Sequence, residues 1–159
     1  MQADSKPVSS NQPHIHRKLP TVVRRHLANT SRKPVAEHSR RAFDMLLAKL
    51  AADPRPLVID SFCGTGHSTG IIAQRHSDHL IVGIDKSSHR LAKHEAEITD
   101  GYLLLQAECE DIWQLLLKEQ IFPDHHYLFY PNPWPKSAHL QRRIHGSAAF
   151  RTLLALGGQ

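Results

Sequence analysis

The chain has 159 residues, a net charge of +5, 40% hydrophobic positions and two cysteines. That is apolar material for one packed domain, and no run of about 18 apolar residues suggests a membrane-spanning helix. Cys63 and Cys109 are too few for a disulfide framework, and the polar N-terminal stretch lacks an apolar leader segment, so a reduced, cytoplasmic setting is expected.

Charge is unevenly spread. Residues 1–56 hold 11 Lys/Arg and 4 Asp/Glu, residues 57–135 hold 5 and 11, and residues 136–159 hold 4 and none. Two basic ends therefore flank an acidic middle. The basic ends suit a phosphate backbone, and the acidic middle suits a cationic ligand. Residues 1–13 read as a disordered lead-in, and residues 14–34 as an extended basic arm with one short helix. Together they form a basic N-terminal arm over 1–34, followed by a domain over 35–159. Over 35–51, Phe43, Leu46, Leu47 and Leu50 fall on one helical face, and "DPRP" stops the helix. Strands are expected at 57–60, 80–85, 102–107 and 126–130. Helices are expected near 67–76, 88–98, 110–120 and 147–156. This alternation predicts an α/β fold with a doubly wound, mostly parallel sheet. Trp113 reads as core.

The stretch "DSFCGTG", Asp60–Gly66, follows a strand and opens a helix, where a glycine loop lets a ligand approach the backbone. Asp85 ends the next strand, placed to accept from a ribose diol. The glycines Gly64, Gly66 and Gly70 miss the dinucleotide spacing by one residue. A carboxylate at Asp60 would repel a pyrophosphate but favour the sulfonium and ammonium of S-adenosylmethionine. Glu108 and Cys109, after the third strand, resemble the place where many methyltransferases set an acid, and then a backbone N–H, beside the adenine. Asp60, Gly64, Gly66, Asp85, Glu108 and Cys109 are therefore the candidate cofactor residues.

Residues 129–136 read "FYPNPWPK", and "HLQRRIHG" follows. The prolines stiffen the segment around Asn132, and Trp134 adds an aromatic plane. His139, Arg142 and Arg143 add a basic cluster suited to RNA. In a doubly wound sheet this loop is expected beside the cofactor crevice. With these residues the chain resembles the tRNA (guanine-N7-)-methyltransferases, whose fourth strand ends in Phe-Pro-Asp-Pro-Trp-x-Lys followed by His and paired Arg. The match is specific from Phe129 to Arg143, looser at Asp60–Gly66 and at "GIDKSSHRL", and extends over roughly residues 35–159.

The resemblance implies a Rossmann-like class I fold and methyl transfer from S-adenosylmethionine to guanine N7 of tRNA. Asn132 and Trp134 would be the catalytic positions, and Lys136, His139, Arg142 and Arg143 would contact RNA. Two features depart from the family. Asn132 replaces its Asp, and the further strands expected after the final Gly-Gly do not follow, so the fold is expected to lack its last strands. Two other readings stand beside it. One is an amino-group methyltransferase, because Pro131-Asn132-Pro133-Trp134 loosely resembles the Asn-Pro-Pro-aromatic motif used on nucleobase amines or glutamine. The other is an inactive fragment that binds RNA or cofactor. Among the histidine pairs His14/His16, His76/His79 and His125/His126 no third ligand follows at a recognisable spacing, so no metal site is expected.

Overall fold

The computed structural model describes residues 14–29, 33–95, 101–129, 131–132 and 134–158. They fall into two compact units, one formed by residues 32–131 and 151–159 and the other by residues 1–31 and 132–150.

The larger unit is a parallel four-stranded sheet with helices on both faces, a Rossmann-like fold. Its strands are β1 (Leu57–Ser61), β2 (Leu80–Asp85), β3 (Tyr102–Gln106) and β4 (His125–Tyr127), in spatial order β3-β2-β1-β4. β1 and β2 are buried throughout, and their leading runs Leu57–Ile59 and Leu80–Val82 are apolar, as strands covered on both sides require. Alternation divides β1 between the two faces. Val58 packs with Ile81 and Tyr102 against Ile72 of α3 (His67–Arg75). Ser61 instead takes a hydrogen bond from Trp113 of α5 (Cys109–Lys118). α2 (Glu37–Ala52) packs against α5, tied to it by the Ala36 N–H, which donates to Asp111 Oδ2 at 3.1 Å. Trp113, Ile112, Leu116 and Leu46 are fully buried. Each such apolar side chain contributes roughly 1.5–3 kcal/mol through its burial.

The expected elements form, with three shifts. The helix expected near 88–98 is only α4 (Ser88–Leu91), followed by tight turns to His94; residues 96–100 lie outside the described residues. The His94 ring explains the early end: it bonds the Thr65 carbonyl at 2.9 Å and the Tyr102 hydroxyl at 2.7 Å, fastening the chain down where the helix would continue. β4, expected over 126–130, begins at His125 and ends at Tyr127, with Leu128 and Phe129 outside it, and it pairs with β1 over three residues. Its expected last residue, Tyr130, lies outside the described residues. The last helix, α6 (Phe150–Leu156), starts three residues late because Ser147 Oγ takes the Ala149 N–H and holds the chain in a turn.

β4 lies at the sheet edge, as the expected topology requires. Gly158 rests on its backbone: a Cβ there would meet His126 N at 2.9 Å. The smaller unit contains α1 (Leu19–Ala28), two short 3-10 turns over Ser137–Arg142 and Ile144–Gly146, and the segment from Asn132. Arg25 of α1 donates to Gln141 Oε1 at 3.2 Å, joining the N-terminal arm to the segment after β4. Among the described residues no helix is long and apolar enough to cross a membrane.

Candidate cofactor site and basic surface

Strand order reverses around β1, with β2 on one side and β4 on the other. In open α/β sheets that switch point opens a crevice beyond the strand C-termini. Asp60 and Asp85 stand there near the ends of adjacent strands, each about 1% exposed.

The two carboxylates do different work. Asp60 Oδ2 accepts from Ser68 Oγ at 2.7 Å and Thr69 Oγ1 at 2.8 Å, so it anchors the first turn of α3. Burial raises the Asp60 pKa, and these two hydroxyl bonds oppose that rise. Asp85 organises the loop: Oδ2 accepts from Gly64 N at 3.0 Å, and Oδ1 from Ser87 N at 2.8 Å and Arg90 Nη2 at 2.9 Å. The Arg90 side chain is 45% exposed, so it is a displaceable partner for this carboxylate.

The glycines divide the labour as well. Gly64 has φ +63° and open space where a side chain would stand. Gly66 has φ +78°, and a Cβ there would meet Leu104 at 2.8 Å and His94 at 3.0 Å. Gly66 thus combines a left-handed backbone with crowding by the Leu104 and His94 side chains, while Gly64 keeps the loop surface clear. His94 completes the support. A carbonyl only accepts, so Nδ1–H donates to Thr65 O, and Nε2 pairs with the Tyr102 hydroxyl.

Glu108 is half-buried at the start of α5, and its backbone N–H donates to Ser39 Oγ at 3.2 Å. The Cys109 thiol is buried between Phe62 N at 3.3 Å and Ile84 O at 3.5 Å. Burial pushes the Cys63 thiol up to about 12, with the Asp60 charge adding to it, and raises Cys109 too. Both sulfurs stay protonated at neutral pH, as packing groups and not nucleophiles. Below the loop, Ser61 Oγ lies 2.8 Å from His126 Nε2, and the His126 ring meets Trp113 edge-on at 5.5 Å. Burial lowers the His126 pKa to about 4, and no partner reaches its buried Nδ1 among the described residues.

The candidate RNA residues Asn132, Trp134, Lys136, His139, Arg142 and Arg143 belong to the smaller unit. Asn132 and Lys136 are exposed; Tyr130 and Pro133 of the motif lie outside the described residues. Trp134 has φ +44°, with Arg142 over its ring at 5.0 Å and the His139 ring edge-on at 5.3 Å. Arg143 is a brace. Nε donates to Trp134 O at 3.0 Å, and Nη2 to Pro135 O at 3.3 Å and Lys136 O at 3.4 Å. His139 is held below the usual histidine value by desolvation and by Arg142, Lys136 and Arg143. The described part of this unit carries Arg17, Lys18, Arg24, Arg25, Lys136, Arg142 and Arg143 and not one Asp or Glu.

Sequence reasoning did not single out Ser68, Thr69, Arg90 or His94. The first two stand in the first turn of α3, where a buried acid at the end of β1 needs donors, and that signal was readable. Arg90 and His94 act across the fold from a short helix and a turn, and local pattern does not reveal them.

The profile of a family described as "Putative methyltransferase" matches residues 54–158. The chain is similar to a tRNA (guanine-N(7)-)-methyltransferase of Treponema pallidum, 31% identical over 59% of this chain and 39% of that protein. A protein of the same description from Edwardsiella ictaluri is 32% identical over 58% and 40%. A trans-aconitate 2-methyltransferase of Escherichia coli is 34% identical over 59% and 40%. The chain thus spans about two-fifths of the length of these relatives. With its sheet, its glycine loop and a profile match over most of its length, the chain belongs to this methyltransferase family.

Proposed function

We propose that this chain forms the methyl-donor-binding part of an S-adenosylmethionine-dependent methyltransferase acting on RNA, with guanine N7 of tRNA as the acceptor. The observation that carries the donor half is the pair of buried carboxylates, Asp60 and Asp85, around the open, left-handed Gly64. The residues fit a cationic nucleoside. Asp85 already accepts three hydrogen bonds, and a ribose diol would replace the exposed Arg90. Gly64 leaves room for the ligand, and the Asp60 charge beneath the loop favours a cation over a pyrophosphate. Glu108 and the Cys109 N–H would take the adenine. S-adenosylmethionine, when bound, supplies an electrophilic methyl group.

The RNA half rests on the basic smaller unit, whose described residues hold no Asp or Glu, and on the motif from Phe129 to Arg143. Guanine N7 has a lone pair and no proton, so its methylation needs no general base. Asn132 and Trp134 would orient the base, which is a positioning task. Lys136 and Arg142 would meet phosphates, His139 would pack as a neutral ring, and Arg143 would hold the loop in shape.

Calorimetry with S-adenosylmethionine tests the first half. Asp85→Ala is expected to weaken binding at least tenfold, and unchanged affinity overturns the assignment. Mass spectrometry of nucleosides from treated tRNA tests the second. 7-Methylguanosine supports the reading. Methylated exocyclic amines would favour the amino-group alternative to which Asn132 lends itself. Cofactor and tRNA binding without any methylated product would mark the chain as a binding segment.

A further inference from the structure

Three histidines meet at the edge of the sheet opposite Asp60 and Asp85. His76 follows α3, His79 leads into β2, and His125 opens β4. One ring nitrogen from each lies within 4.8 Å of the other two. The ring centroids are 4.8 Å apart for His76 and His125, 5.3 Å for His76 and His79, and 5.8 Å for His79 and His125.

The groups around these rings orient them. Asp78 Oδ1 lies 2.7 Å from His79 Nδ1, so the carboxylate takes the Nδ1 proton and leaves the Nε2 lone pair for a ligand. The Tyr127 hydroxyl lies 2.9 Å from His76 Nε2 and can take that proton, leaving the Nδ1 lone pair. Asp124 Oδ2 stands 3.5 Å from His79 Nε2, close enough to serve as a fourth, anionic donor. Metal-binding histidines commonly have the second ring nitrogen bonded in this way. Three imidazoles and a carboxylate form a donor set for zinc-like ions.

We propose that His76, His79 and His125, with Asp124 beside them, bind one divalent transition-metal ion of the zinc type. Donors about 2.0–2.1 Å from a tetrahedral ion stand roughly 3.3 Å apart, so the rings close by about 1.5 Å at most. The ion joins three segments: the end of α3, the turn into β2 and the first residue of β4. β4 is held to β1 over only three residues, and the clamp would secure its start. Six residues of strand separate His79 from Asp85, about 20 Å at 3.3 Å per residue, so the ion has a structural task apart from methyl transfer.

The test uses the full chain without an affinity tag, stripped with a chelator and titrated with Zn²⁺ alone. One ion per chain is expected, with a dissociation constant of about 1 μM or tighter and a rise in melting temperature of several degrees. His79→Gln and His125→Gln are expected to weaken Zn²⁺ binding at least tenfold and to leave S-adenosylmethionine affinity unchanged. The control His14→Gln/His16→Gln should bind as the parent does. Equal Zn²⁺ affinity in the parent and in His79→Gln/His125→Gln overturns the proposal, as does weak binding of several ions. If these variants do not fold, Co²⁺ on the parent decides. An intense tetrahedral absorption supports the site, and the faint octahedral spectrum rejects it.

Discussion

The loop after β1 and the segment after β4 are built in opposite ways. The first is held from inside by buried groups: Asp60 on two hydroxyls, Asp85 on two backbone N–H groups and Arg90, and His94 on a carbonyl. The second is held by an arginine gripping three carbonyls and by rings and cations stacked near solvent. A small charged ligand needs a rigid, preformed contact, whereas a polyanion can be met by exposed cations on a stiff loop.

Substitutions within each loop test the contrast. The largest effect is expected from Gly66→Val. A branched side chain at φ +78°, pressed onto Leu104, should cost about 4 kcal/mol in stability, measurable by urea unfolding. A small change there would mean that the loop yields, against the rigid picture. The next effect is a pH dependence from His126. Its folded pKa of about 4 lies below the ordinary 6.5, so between those values the unfolded chain takes the proton and the folded chain does not. Stability should be full above about pH 6.5 and fall by about 3 kcal/mol as pH drops to 4. His126→Phe should flatten most of that slope in unfolding curves; an unchanged slope assigns it to other groups.

Gly64→Ala should be milder for folding, about 1 kcal/mol for the left-handed backbone, because open space surrounds the added methyl. Its cofactor affinity should fall far more than its stability. Equal losses would erase the distinction drawn between the two glycines. The smallest effect concerns the second loop. Arg143→Lys keeps the charge but cannot reach three carbonyls, so tRNA affinity should drop several-fold in filter binding. Arg142→Lys, which keeps a phosphate-seeking charge, should lose about twofold or less. The reverse order would make Arg143 the phosphate contact and Arg142 the brace.

Much of this was legible in the sequence. The strands expected over 57–60 and 80–85 are short apolar runs with little else to become; Asp60 and Asp85 close those runs, and Gly64 and Gly66 stand in the loop after the first. Trp113 reads as core and is fully buried. Long-range convergence was hidden. His76 and His125 stand 49 residues apart, and only the pairing of β4 with β1 brings them together. Arg25 and Gln141 are farther still. Spacing rules describe neighbours along a strand or helix, and these contacts follow from how the sheet is ordered. Arg143 illustrates a subtler limit: composition reveals a cation but not whether its hydrogens are already committed.

Trp134 holds φ +44°, a conformation that suits glycine or asparagine and strains a bulky ring by roughly 1–2 kcal/mol. A sequence shaped for folding alone would place a smaller residue there. Trp134→Gly should therefore melt no lower than the parent while losing the surface on which Arg142 rests. If Trp134 orients the base as proposed, durability and activity are set against each other at this position, and an effort to make the protein hardier by consensus or computation would reach for a residue it should leave alone.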